Sequence, residues 1–247
     1  MKDFIRKFLP SGGIAVGAAL ALAALSACTD YVAQMESDFE AWTQAQWEAS
    51  PTSSNEYAAY VSSSSLYVVE LDSSFLDLRD NTLYKKVKIG NQVWMAENLN
   101  YATDYSFCYD NNYLLCVIYG RLYTWSEAKS VCPKGWHLPS NEEWDTLYAI
   151  AGAVAGEELA GYQLKSVDAW EEGGVGSDYF GFTAYPAGLL SNEMTYVNMR
   201  YVGAFWSSTM TDSGVGFAAA LMYNTADFFF VNDLDATNAV SVRCVQD

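Results

Sequence analysis

Four cysteines, Cys108, Cys116, Cys132 and Cys244, constrain how this chain can fold more than any other feature. Their meaning depends on the compartment, and the first 28 residues point to it. Lys2, Arg6 and Lys7 form a positive start. Ile14 to Leu25 is a twelve-residue apolar run, too short for a bilayer and right for the centre of a secretory signal. Leu25-Ser26-Ala27-Cys28 then resembles a bacterial lipobox, in which the cysteine is acylated on sulfur and becomes the mature N-terminus. The plainer alternative is secretory cleavage after Ala27 beside a chance cysteine. Either route exports the chain to an oxidising compartment, where the other four thiols are expected to pair.

Four thiols allow three connectivities. Cys108 and Cys116 flank "YDNNYLL" closely enough to staple it, which leaves Cys132, after a short helix, to reach Cys244 in a terminal strand. That second bridge closes 112 residues. Chain-entropy arithmetic gives such a closure about 4 to 5 kcal/mol.

Composition divides the chain into residues 1–27 as signal peptide, 28–79 as a serine-rich tether and 80–247 as one folded domain. Ser62-Ser63-Ser64-Ser65 and Ser73-Ser74 mark the tether. Two aromatic clusters interrupt it, Phe39-Trp42-Trp47 and Tyr57-Tyr60; Phe39 and Trp42 with Glu40 to Gln46 suit a short amphipathic helix, or the aromatics are incidental. With 51% apolar and 15% aromatic residues, the chain has the means to build a substantial core. Its net charge of −17, or −19 once residues 1–27 are removed with three basic side chains and one acidic, repels phosphate backbones. Nucleic acid is excluded as a partner.

In "YKKVKIGNQVWMAENL", alternating apolar residues on either side of Gly90-Asn91 predict a hairpin with a two-residue turn. Thr124 with Glu127, and Ser140 with Glu143, have capping-box spacing. The first predicts a short helix stopped by Pro133. The second predicts a helix that buries Trp144, Leu147, Tyr148 and Ala151 and ends at Gly152. The runs "GAFWSST", "GFAAALMY", "ADFFFV" and "NAVSVRCV" read as strands of an antiparallel sheet, so the fold class is α+β. Between helices and strands, Asp168 to Asn198 is glycine-rich and is expected to carry long functional loops.

Six motifs, "VKIGNQVWMAENLNY", "YGRLYTWSEA", "CPKGWHLPSNEEW", "PAG", "FWSST" and "SVRCV", resemble in order those of the Fibrobacter succinogenes major paralogous domain, over residues 80 to 247. "HLPS" before "EEW" and the terminal "VRCV" also resemble the formylglycine-generating-enzyme-like branch of the C-type-lectin-like fold. The resemblance implies a lectin-like α+β scaffold with recognition on its loops. It implies no activity: the late cysteine pair of the formylglycine-generating enzymes is reduced here to Cys244.

No catalytic residue is assigned. His137 is the only histidine, lacks a cluster and reads as structural; Ser207 and Ser208 lack a general base. The Glu-Pro-Asn or Gln-Pro-Asp loop of calcium-dependent lectins is missing. Asn232, Asp233 and Asp235 are the oxygen donors a Ca²⁺ ion would take, or else ordinary solvated turn residues. Trp170, Tyr179, Tyr185, Tyr196 and Tyr201 are the candidate ligand-binding residues, with Trp170 and Tyr196 the preferred exposed pair. The competing reading places several of them in the core. The expected function is a lipid-anchored binding module of the cell envelope, in the outer membrane or at the cell surface. Its ligand is a neutral polysaccharide or a protein, with a glycoside hydrolase or a structural envelope component as alternatives.

Overall fold

The computed structural model describes residues 68–210 and 216–247. They belong to a compact unit spanning Ser64–Asp247. Residues 1–28, which carry the expected signal and Cys28, and the aromatic cluster of Phe39, Trp42 and Trp47 lie outside the described residues. None of the described helices is long and apolar enough to cross a membrane.

The ordered fold begins before residue 80, which corrects the end assigned to the tether. Strand β1 (Val68–Glu70) pairs with β2 (Ser74–Asp77), and β2 pairs in turn with β3 (Thr82–Ile89). Phe75 and Asp77, two apart and therefore on one face of β2, are both fully buried. Phe75 packs 4.3 Å from the Trp136 ring. The Asp77 carboxylate is neutralised by Arg79, whose guanidinium also donates to Val131 O and lies 4.0 Å over Tyr101. Serine content masked a strand whose alternation is only four residues long.

β3 continues into β4 (Gln92–Met95) through Gly90 and Asn91, as the alternation predicts. Gly90 has φ +61°, a left-handed turn position that favours glycine. One sheet runs β1-β2-β3-β4-β14-β7, with β7 at Trp136–His137 and β14 at Val245–Gln246. The first and last strands of the described fold thus share a sheet.

The second sheet is built on β10 (Val202–Met210), β11 (Gly216–Met222) and β12 (Phe228–Leu234), joined antiparallel. β13 (Ala239–Ser241) runs parallel to β10, then pairs with β6 (Leu122–Thr124), which pairs with β5 (Ser106–Phe107). Short β8 (Leu189–Leu190) and β9 (Tyr196–Val197) attach beside β13. The sheet is buried on both faces: Trp206 and Ala218 join one apolar cluster, their neighbours Phe205 and Ala219 the other. Alternation along a strand sends neighbours to opposite faces, and the alanines of β11 leave room for rings.

Four helices are described: α1 (Tyr113–Tyr119), α2 (Trp125–Val131), α3 (Asn141–Ala155) and α4 (Ala160–Leu164). α3 starts as predicted. The Ser140 hydroxyl accepts from Glu143 N, and the Glu143 carboxylate accepts from Ser140 N. Trp144, Leu147 and Ala151 are fully buried and Tyr148 partly so, with the Trp144 ring 4.7 Å from Trp94 and 5.8 Å from Phe205. The helix does not end at Gly152, which is interior and buried; Gly156 is the C-cap. Thr124 does cap α2 by position, but its hydroxyl bonds Ser126 rather than a backbone amide, so that capping box is not made. α1 begins within "YDNNYLL" and runs past Cys116 to Tyr119, a helix where the spacing predicts only a turn. Its start is held by Asn112 Oδ1, which accepts from Leu114 N.

Cys108 pairs with Cys116 and Cys132 with Cys244, the expected connectivity. Beside Cys244, Arg243 is fully buried and donates to Asn98 Oδ1 (2.8 Å), Met95 O (3.1 Å), Phe182 O and Thr183 O (2.6 Å). Burial pushes its pKa down to about 9. "SVRCV" therefore acts as a clamp: the cystine holds α2, and the guanidinium holds the loop at Phe182.

Candidate functional site

The segment between α4 and β10 is mostly irregular yet stitched to the sheet. Ser166 N donates to Ala184 O and Ala184 N to Leu164 O, while Gly188 N donates to Val202 O and Arg200 N to Pro186 O. Asp178 accepts from both the amide (2.7 Å) and the hydroxyl (2.8 Å) of Thr183. These bonds make the loop a platform.

Trp170 is not on its surface. It is 4% exposed, its indole donates to Ala184 O at 3.2 Å and the Lys165 ammonium lies 4.7 Å over its ring. As a preferred exposed ligand contact it is corrected to a core residue, because the chain folds back across it at Ala184. Tyr179 is 64% exposed and meets Phe180 edge-on at 5.0 Å.

The other three tyrosines sit in pairs. Tyr196 stacks tilted on Tyr109 at 5.2 Å and donates its hydroxyl to Asn111 Oδ1 at 3.0 Å. Tyr185 meets Tyr119 edge-to-face at 5.8 Å, and Tyr201 meets Tyr223 likewise at 5.0 Å. The pairs follow one stretch of chain. The Tyr109 ring edge lies against Gly188, three residues after Tyr185; Arg200 bonds to Pro186 and precedes Tyr201. Arg200 also ties Glu171 to this border, through its carbonyl and by an ion pair at 3.5 Å. Burial raises the pKa of Tyr109, Tyr119, Tyr185 and Tyr196, so all four keep hydroxyl protons to donate at neutral pH. Tyr109, Tyr119 and Tyr223 were not singled out from sequence. For the first two a signal existed: Tyr109 follows Cys108, and Tyr119 lies three residues, nearly one helical turn, after Cys116.

His137 lies elsewhere. Its Nδ1 is 2.6 Å from Asp247 and its Nε2 2.8 Å from Glu143. Burial lowers its pKa, and the hydrogen bonds and charges of Glu143 and Asp247 outweigh this and raise it above 6.5. Both ring nitrogens are engaged by carboxylates, so none is left to activate a serine. Ser207 is buried with its hydroxyl accepting from Thr209 N at 3.1 Å. The imidazole joins the start of α3 to the end of β14.

A family model described as the Fibrobacter succinogenes major domain matches residues 87–246. The chain belongs to this family. No curated protein and no solved structure matches it. In this Fibrobacter major domain the motif residues act mainly in construction: the β3–β4 hairpin, the α3 capping box and the Arg243–Cys244 clamp. The match starts inside β3, yet β1 and β2 supply Phe75 to the same core.

Of the candidate cation ligands, Asn232 and Asp233 are exposed on β12 and, as strand neighbours, face opposite sides. Asp235 accepts from Thr237 N (2.9 Å), Thr237 Oγ1 (2.6 Å) and Asn192 Nδ2 (3.3 Å), and the Thr237 bonds hold its carboxyl below the usual range. Asp235 therefore closes an Asx turn. Among the described residues no group of three or more His, Cys, Asp or Glu is arranged to hold a metal.

Proposed function

We propose that this Fibrobacter major domain is a binding module for neutral polysaccharide, held at the cell envelope by a lipid on Cys28 and using a lectin-like scaffold. The observation that carries the reading is the row of three tyrosine pairs along residues 185–201. Aromatic faces stack on the apolar faces of sugar rings and give contact area at low entropic cost, while phenol hydroxyls bond sugar hydroxyls. The net charge of −17 disfavours uronate-rich or phosphorylated polymers. A scaffold in which first and last strands share a sheet, with recognition on intervening loops, fits the lectin-like resemblance. The reading assigns no role to Ca²⁺ and no catalytic set.

Retention of the purified chain on insoluble cellulose, xylan and mannan tests it. Retention on at least one is expected, and none on any of the three would move the ligand to a protein. A specific observation favours that second reading: α1 presents Tyr113, Leu114, Val117 and Ile118, between 55% and 68% exposed, with no charged residue in the helix. Hydrolysis of a chromogenic glycan panel would instead establish a glycoside hydrolase, and loss of envelope integrity on deletion a structural component. For the anchor, Cys28→Ala is expected to leave the detergent phase; unchanged partitioning would refute lipidation.

A further inference from the structure

A cleft of about 340 Å³ opens between the end of α4, the loop at Glu172–Val175 and the β11–β12 turn at Tyr223–Ala226. Its floor is unusual. Lys165 is 2% exposed, donates to Met222 O at 2.5 Å and to Thr225 O at 2.6 Å, and caps the Trp170 ring. The three donors of the ammonium are thereby occupied by two carbonyls and an aromatic face. Burial lowers its pKa to about 8, so it remains protonated at neutral pH and keeps the turn latched. On the other wall Tyr162 N donates to Ala226 O at 2.8 Å. Gly161 lets the two segments touch: a Cβ there would sit 2.1 Å from Asp227 O. The cleft is built by backbone contacts and exists before any ligand arrives.

Its lining combines two kinds of surface. Tyr162 is 41% exposed, and Tyr223 is propped edge-on by Tyr201, so ring surface borders the cleft on both sides. Glu172 and Asn224, both exposed, lie at the rim; among the described residues neither side chain has a hydrogen-bond or ion-pair partner. A carboxylate accepts from two hydroxyls, and an amide both gives and accepts. Two carbonyls and a ring hold the Lys165 ammonium without neutralising it, so its charge and that of the exposed Glu172 offset each other and the cleft as a whole favours a neutral ligand. The volume stands at the lower end of small-molecule sites, enough for a ring or two.

We propose that this cleft binds a single neutral sugar residue, its ring against Tyr162 or Tyr223 and adjacent hydroxyls on Glu172 and Asn224. This rests on the polysaccharide reading and deepens it: the tyrosine pairs contact a chain along its length, and the cleft at the Tyr201–Tyr223 pair takes a terminal unit of it.

The test uses saturation-transfer NMR and calorimetry of the full mature chain with the methyl glycosides of glucose, xylose, mannose and galactose. At least one is expected to bind saturably, and Glu172→Gln, Asn224→Ala and Tyr162→Ala each to weaken it by about tenfold or more, about 1.4 kcal/mol. Lys88→Ala, at an exposed position of β3, serves as the control for unspecific effects. Glu172 and Asn224 are solvent-facing, so their variants are expected to melt like the wild type. Saturation transfer to none of the methyl glycosides overturns the proposal, as does transfer that survives Glu172→Gln with Tyr162→Ala in a folded protein. Polymer retention with no methyl glycoside bound overturns the cleft alone; methyl glycoside binding without polymer retention overturns the polymer reading and keeps the cleft.

Discussion

The two disulfides do opposite work. Cys132–Cys244 spans 112 residues, has a fully buried cysteine in the main core and joins α2 to the chain just before β14. Cys108–Cys116 spans 8 residues and staples a turn to the seven-residue α1, whose outer face is exposed apolar side chains. A helix this short does not hold itself in water. The first bridge therefore closes the fold, and the second shapes a surface, placing Tyr109 and Tyr119 against the tyrosines of the long loop.

The comparison predicts unequal losses. Cys132→Ala with Cys244→Ala is expected to lower unfolding free energy by about 4 to 5 kcal/mol in urea titration, since the closed loop is long. Cys108→Ala with Cys116→Ala is expected to lower it by about 2.5 kcal/mol, while removing most polysaccharide retention because Tyr109 and Tyr119 lose their positions. Equal destabilisation by the two double variants, or retention untouched by the second, would break the contrast. On the surface side, Tyr196→Ala is expected to weaken polymer binding by about 1 to 3 kcal/mol at unchanged melting temperature, as for an aromatic anchor. If it melts early instead, the Tyr109–Tyr196 pair is packing rather than recognition.

The smallest effect belongs to the closing side. His137→Gln is expected to cost about 1 kcal/mol of stability and to leave ligand binding within a few-fold. The raised histidine pKa sets the sign with pH. The folded chain holds the proton more tightly than the unfolded one, so this contribution is complete below about pH 6.5 and fades as pH rises through the folded value. Stability of wild type minus His137→Gln across pH 5 to 9 measures it, and a difference that grows with pH would contradict the assignment.

Much of the closing side was legible in sequence. The Ser140–Glu143 capping box, the Gly90–Asn91 hairpin and the late strand runs are interactions among residues a few positions apart, where spacing and geometry coincide. The same reasoning misread Thr124, whose hydroxyl found Ser126, and extended the tether over β1 and β2, whose pairing shows only when β3 anchors them to the sheet. On the tyrosine side, residue type identified Tyr185, Tyr196 and Tyr201 as aromatic candidates, but not their partners or the burial of Trp170.

Class, charge and the even number of exported thiols were determined by the sequence itself, because periodicity, ionisable composition and the parity of thiols need no knowledge of distant neighbours. Tertiary structure decided which aromatics remain outside. Trp170 is covered by Ala184, fourteen residues on, and by the Lys165 latch to Met222 and Thr225. The tyrosine pairs join residues 66 to 87 apart along the chain, except Tyr201 with its neighbour across a hairpin. Exposure is a property of what packs over a side chain, and that is settled only when the long-range contacts close.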